Sequence, residues 1–150
     1  MKSVFNPADV VELIYRINKL TPESQALWGK MSVAQMLAHV NVSYEMVFTD
    51  KHPRPNAFTR LLLKLLVKNK VVGPQPYKHN ERTAPAFMIG DARNFELEKT
   101  RLLSHLNQTL QLGQEYFHKK PSHSFGKLTA GEWNVLFYKH LDHHLTQFGV

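Results

Sequence analysis

Four stretches of the chain carry apolar residues every three or four positions, the spacing that places side chains on one face of an α-helix. The stripes run through residues 10–17, 36–47, 95–110 and 133–144, and polar residues fill the positions between them. No stretch alternates apolar and polar residues as a half-buried strand does. The pattern therefore predicts an all-α protein, and four long amphipathic helices predict a four-helix bundle.

Residues typical of helix ends delimit these stretches. Asn6 before Pro7 indicates a helix start, and Ser32 with Gln35 and Thr129 with Glu132 have the spacing of capping boxes. We expect the first long helix to begin near residue 7, and the others to span about 33–49, 91–112 and 130–148. Gly113 is the predicted stop of the third long helix.

Two further segments lie between the second and third long helices. Residues 58–67 predict a short extra helix, whereas residues 69–90 carry three prolines and two glycines and predict a long irregular loop. A loop of that length is uncommon unless it has a function, so a lid over a site is one interpretation. An ordered loop packed on the bundle is the other and is favoured. The length of 150 residues predicts a single domain over residues 1–150.

Composition narrows the class of protein. The chain is 43% hydrophobic and 21% charged with a net charge of +7, which argues against disorder. It has no cysteine, which excludes disulfides, cysteine nucleophiles and iron–sulfur clusters. The longest apolar stretch, residues 61–67, is interrupted by Lys64 and is too short to span a membrane. The early polar residues do not fit a signal peptide, so we expect a cytoplasmic protein.

Histidines are the candidate chemical groups, because the chain has nine of them. His140 and His144 are four positions apart and continue the helical stripe of Trp133 and Phe137, so both should face the interior. Buried imidazoles need hydrogen-bond partners or a metal ion. His39 lies beside the apolar stripe of the second long helix and is a candidate third ligand. Spacing alone leaves open whether these are metal ligands or ordinary core histidines.

The remaining histidines lie in predicted loops or on polar faces and are interpreted as solvated groups: His52, His79, His105, His118 and His123. His143 and Asp142 flank the candidate pair on the last helix and are candidates to support the ligands. Helix geometry points neither of them straight at the site, since successive side chains lie about 100° apart.

Two stretches of the sequence resemble the DinB/YfiT-like superfamily of metalloenzymes. One is WGKMS at 28–32 with QMLAH at 35–39, and the other runs from FGKLT at 125–129 to YKHLDHHLTQFG at 138–149. The likeness is to an uncharacterised branch of that superfamily. The resemblance implies a four-helix bundle, a bacterial origin and a metal site with one ligand from the second long helix and two from the last.

Transferred position by position, the resemblance implies His39, His140 and His144 as ligands of Zn²⁺ or Ni²⁺. Gln147 matches the glutamine that follows the second histidine of the pair, and it could orient a ligand. Characterised relatives are thiol-dependent transferases and isomerases, so the resemblance implies S-transferase-like or hydrolase-like chemistry, with an exogenous low-molecular-weight thiol as a candidate cosubstrate. The substrate is a small molecule that the sequence does not identify, and whether the chain is an enzyme stays open.

The alternative is a bundle without catalytic activity that acts as a binding module. Arg60, Lys64 and Lys68 recur every four residues opposite the leucines of the short helix. Helices on anionic membranes have this pattern, but a core helix with a solvated basic face has it more often and is favoured. No nucleic-acid-binding motif accompanies the basic charge, so nucleic acid is the weaker candidate. A homodimer through Trp28 or through the apolar residues of the short helix is a further interpretation.

Overall fold

The computed structural model describes residues 2–150, and this part of the chain is mostly helical. The long helices are α1 (Pro7–Lys19), α2 (Val33–Phe48), α5 (Phe95–Phe117) and α6 (Ala130–Gln147). Between α2 and α5 lie α3 (Ala57–Leu66), α4 (Lys68–Val72) and a 3₁₀ turn at Pro85–Phe87. The all-α prediction is correct except for a short antiparallel pair of strands, β1 (Pro121–Ser122) and β2 (Gly126–Lys127).

The helix starts are set by side chains that satisfy free backbone N–H groups. The side chain of Asn6 accepts hydrogen bonds from the backbone of Ala8 and Asp9, and the two predicted capping boxes at α2 and α6 are both present. The start expected near residue 91 was wrong by about one turn. Asn94 is the true cap, because its side chain accepts from Leu97 N and α5 begins at Phe95.

The core forms where the long helices contact one another. α2 packs against α5 and α6, and α1 packs against the same two helices. Aromatic rings fill the centre: Tyr44 stacks on Phe137 with centroids 4.7 Å apart, and Phe117 contacts Phe137 and Trp133 edge-on at 5.7 Å. Almost the whole circumference of α2 is buried over residues 33–45, as expected for a central helix.

Three other expectations need correction. The segment 69–90 is not wholly irregular, since it includes most of α4 and the 3₁₀ turn. Gly113 does not end α5; it kinks the helix at a non-helical φ of 69° and the helix resumes to Phe117. The predicted absence of strands overlooked β1 and β2, which are held by Ser122 as its hydroxyl donates to Gly126 O and accepts from Phe125 N.

The short helix α3 differs from the others because none of its residues is buried. Five of its large apolar side chains are exposed: Phe58, Leu61, Leu62, Leu65 and Leu66. Within residues 2–150, no helix has the length and apolar character needed to cross a membrane.

Candidate metal centre

Three histidines from two helices meet in the interior. α2 supplies His39, and α6 supplies His140 and His144 one turn apart. One nitrogen of each ring can be chosen so that all three atoms lie within 4.8 Å of one another. The ring centroids are 4.6–4.9 Å apart. The structure thus brings together the three histidines singled out in the sequence, in an arrangement that could hold a metal ion.

The orientation of His39 is set by the loop before α5. Its Nδ1–H donates to the carbonyl oxygen of Phe87 at 2.8 Å, and the Phe87 ring lies edge-on to it. A carbonyl only accepts, so the proton must be on Nδ1 and Nε2 keeps its lone pair. That Nε2 faces Nε2 of His140 at 2.9 Å.

His140 is oriented from α2 by a hydroxyl. Its Nδ1 is 2.9 Å from Oγ of Ser43, which lies one turn after His39. A hydroxyl can donate or accept, so Ser43 fits either tautomer of this ring. The Nε2 proton of His140 can therefore bridge to His39, or the Nδ1 proton can go to Ser43 and leave both Nε2 lone pairs facing each other.

His144 is oriented by a relay of two further groups. Its Nδ1–H donates to Oε1 of Gln147 at 2.8 Å, and Nε2 of Gln147 donates to the carbonyl oxygen of Trp28 at 2.7 Å. The Trp28 carbonyl can only accept, which fixes the orientation of the amide and hence the tautomer of His144. Gly29 allows this close approach, because a Cβ there would be 2.6 Å from Gln147 Nε2.

Burial keeps all three rings neutral near pH 7. Desolvation lowers the pKa of His39. Desolvation, followed by the nearby His144, His39 and His143, lowers the pKa of His140 well below its usual value. The pKa of His144 falls to about 3, first through burial and then through His39. Neutral imidazole is the form that binds metal ions, so protons compete weakly at this site.

The three imidazoles form a donor set that could hold a metal ion. Three imidazoles with their Nδ1 atoms engaged by oxygen atoms resemble histidine ligands whose second nitrogen is held by a neighbouring group. If all three bound an ion, one coordination position would stay free, as in catalytic rather than structural zinc sites. All three rings also line a cavity of about 1050 Å³.

The two flanking residues lie outside this centre. Asp142 pairs with Arg16 at 2.6 Å on α1, so it gives the ligands no direct support. His143 lies edge-on to Tyr77 and Trp28, and Trp28 stacks on His79 at 3.8 Å. His143 thus lines the cavity beside the three rings. His79 is the exposed loop residue expected from the sequence, although its ring stacks on Trp28.

Sequence reasoning also misjudged His105. Its Nδ1–H donates to Oδ1 of Asn41 at 3.0 Å, and its ring stacks on Tyr44 in the core. Asn41 in turn donates to Glu98, which Arg101 binds at 2.7 Å. His105 therefore belongs to a polar network between α2 and α5 and is not a solvated group. Of the residues that orient the ligands, Ser43 could have been found from its position one turn after His39, whereas Phe87 acts through a backbone carbonyl.

Residues 5–149 match the model of the DUF1569 family, which is described as a family of proteins of unknown function. No curated protein and no solved structure matches the chain.

Proposed function

Because the chain belongs to the DUF1569 family, whose function is unknown, we propose its function from its own residues: it is a divalent-metal-dependent enzyme. His39, His140 and His144 are the proposed ligands of the ion. The observation that carries the proposal is that each Nδ1 has an oxygen partner at 2.8–2.9 Å, from Phe87, Ser43 and Gln147.

As ordinary core packing, a proton of His140 can satisfy His39, but Nε2 of His144 has no hydrogen-bond partner among residues 2–150. Two of the three tautomers are fixed with the Nε2 lone pair unprotonated, and all three rings are in mutual contact. Lone pairs that face each other in the interior are costly unless a proton or a cation lies between them. Ser43 can accept the Nδ1 proton of His140, so all three lone pairs become available together.

A bound Zn²⁺ or Ni²⁺ would act as a Lewis acid that lowers the pKa of a coordinated water or thiol. The protein itself holds the three rings, keeps them neutral and provides the adjoining cavity for a small-molecule substrate. We propose S-transferase-like chemistry with an exogenous thiol, or hydrolase-like chemistry with water. We also propose that residues 1–150 form one DinB/YfiT-like domain with a four-helix-bundle core.

The test is the metal content of untagged protein. We expect about one equivalent of a divalent metal after soaking in Zn²⁺ or Ni²⁺, and a tenfold or greater loss of affinity in His39→Ala and His144→Ala, since each removes one of three ligands. His118→Ala, at an exposed position on the connection after α5, is the matched control and should bind like the wild type.

Circular dichroism of every variant separates loss of the site from loss of the fold. Wild-type protein that takes up no metal, or His39→Ala and His144→Ala variants that bind as tightly as His118→Ala, would show that the three histidines are core residues only.

A second candidate function is binding to an anionic membrane surface, and the exposed apolar face of α3 favours it. Arg60 and Lys64 adjoin this face, and neither has a carboxylate within 4.0 Å among residues 2–150. Lys68, the third member of the predicted basic row, is paired with Glu132 at 2.7 Å. Leucines beside cations are the composition of helices that lie in lipid headgroup regions.

Co-sedimentation with phosphatidylglycerol vesicles tests this second candidate. We expect binding at low salt that Leu61→Gln combined with Leu65→Gln abolishes, while Leu97→Gln, at an exposed position of α5, leaves it unchanged. Absence of binding would overturn it. So would a wild-type dimer that these α3 substitutions convert to monomers, because the face would then be a subunit interface. No shift of duplex DNA is expected.

A further inference from the structure

The cavity beside the three histidines is much larger than a water molecule or a small thiol requires. Its volume of about 1050 Å³ lies just above the range for sites that hold small molecules, roughly 300–1,000 Å³. Residues of α2, α3, α4, α6 and the segment 77–90 form its wall. Its shape and lining therefore carry information about the class of molecule it accepts.

One end of the cavity is apolar. α2 and α6 are antiparallel, since His39 faces His140 while Tyr44 faces Phe137. The part of α2 after His39 thus lies beside the part of α6 before His140. Five cavity residues at this end are apolar or aromatic, beside the polar Ser122, His123 and Ser124: Met46, Val47, Phe125, Trp133 and Leu136. Phe125 belongs here because neighbouring His123 contacts the backbone of His52 and Pro53, just after α2.

The opposite end carries positive charge. Gln147 contacts Trp28 there, and Asn80 lies 3.9 Å from the Cβ position of Gly29, so the segments around residues 28–31 and 78–82 adjoin. The cavity residues of these segments include Lys30, Lys78, Glu81 and Arg82. Glu81 is already paired with Lys70 at 2.8 Å. Lys30, Lys78 and Arg82 have no carboxylate within 4.0 Å in the described part of the chain.

The cavity is also elongated. The residues of α6 that line it run from Trp133 to Gln147, which corresponds to about 21 Å along the helix axis. His140 and His144 lie between the apolar and the basic ends. An occupant that satisfies both ends must be long, mainly apolar and negatively charged at one end.

We infer that this cavity binds an elongated apolar molecule with a terminal anionic group, such as a medium-chain carboxylate. The three-histidine site lies alongside its chain. The inference names a substrate class for the proposed enzyme and rests on that proposal for the reaction, but the binding can be measured without metal.

The experiment uses undecanoic acid carrying a terminal dansyl group, whose fluorescence rises in an apolar environment. The untagged protein should enhance this fluorescence, and ligands of equal chain length should displace the probe. We expect decanoate to displace it best, decanol about tenfold less well, and decyltrimethylammonium least, because only decanoate complements the basic end.

Substitutions at each end test the orientation. Val47→Trp fills the apolar end and should weaken binding about tenfold or more, whereas Leu97→Trp, at an exposed position of α5, should not change it. Lys78→Gln combined with Arg82→Gln should weaken displacement by decanoate but not by decanol. Probe binding that survives Val47→Trp, or equal displacement by decanoate and decanol, would overturn the inference.

The same samples keep this inference separate from the proposed function. His144→Ala should lose metal but still bind the probe, because the apolar wall does not depend on that ring. Metal uptake without probe binding would leave the proposed enzyme standing and remove this substrate class. Probe binding without metal uptake would support the apolar anionic ligand and overturn the proposed metal-dependent enzyme.

Discussion

At the scale of single residues, the site depends on a glycine that carries no functional group. Gly29 has a φ of +86°, in the left-handed region, and it lies against the amide of Gln147. That amide joins His144 to the Trp28 carbonyl. Any side chain at position 29 would therefore affect a proposed ligand two contacts away.

Gly29→Ala is expected to lower the free energy of unfolding by about 1–3 kcal/mol, because it adds a strained φ and a contact of 2.6 Å with Gln147 Nε2. Gly131→Ala is the matched control. It lies in the first turn of α6 with only Thr129 Oγ1 near, at 3.9 Å, and should stabilise by about 0.5–1 kcal/mol. Urea unfolding monitored by circular dichroism measures both. Equal effects of the two substitutions would contradict this role of Gly29.

Several of these residue positions could be predicted from the sequence. His140 and His144 follow an apolar stripe at helical spacing, so their burial follows from periodicity. The choice of His39 depended on the family resemblance, because spacing within one helix says nothing about the partner on another. The carbonyl of Phe87 could not be predicted, since every residue has a carbonyl and only the tertiary fold selects one.

At the scale of elements, α4 and the loop after it are held by one buried lysine of α6. Nζ of Lys139 donates to the carbonyl oxygens of Lys70, Gly73 and Gln75 at 2.8–3.1 Å, and it lies over the Tyr77 ring. Burial lowers the pKa of Lys139 to about 8. The bonds to Lys70 and Gly73 satisfy free carbonyls at the end of a five-residue helix that is too short to be stable alone, and the bond to Gln75 holds the loop after it.

Lys139→Met should therefore loosen residues 70–77 while leaving α5 intact. Because the three carbonyls lose their donor, the free energy of unfolding should fall by about 1–3 kcal/mol. Hydrogen exchange measured by mass spectrometry should show faster exchange in that segment only. Lys127→Met, at an exposed position in β2, is the control and should exchange like the wild type. Unchanged protection of residues 70–77 in Lys139→Met would show that packing alone holds α4.

The elements themselves were predictable to different degrees. The capping boxes of α2 and α6 were visible because they follow from residues three positions apart. The continuation of α5 beyond Gly113 was not, since a glycine at positive φ is the common signal for a helix end. β1 and β2 are two residues each, too short for any periodicity.

At the scale of the whole molecule, His105 makes the fold sensitive to acid. Burial, with Arg101 and Lys51 nearby, lowers its pKa to about 4 from the 6.5 of an unfolded chain. Between these values the unfolded state binds a proton that the folded state does not, so stability falls as pH drops from about 6.5 to about 4. Above about pH 6.5, the contribution of His105 to the free energy of unfolding no longer changes with pH.

In metal-free protein, His105→Gln should make the unfolding midpoint less dependent on pH between about 4 and 6.5. Glutamine can still donate to Asn41, so the network of α2 and α5 is retained. His118→Gln, at an exposed position, should keep the wild-type dependence. Thermal unfolding at a series of pH values measures this dependence. An unfolding midpoint that changes equally with pH in both variants would contradict the role of His105 in acid sensitivity.

The hydrogen bond from His39 to Phe87 has a consequence for the whole molecule. Phe87 belongs to the segment 77–90 that lines the cavity, and its carbonyl also orients one of the proposed ligands. A molecule that displaces this segment on entry releases His39, whereas an ion that holds His39 in place retains the segment. Ion capture and cavity occupancy then form one thermodynamic cycle, in which each must change the affinity of the other by the same factor.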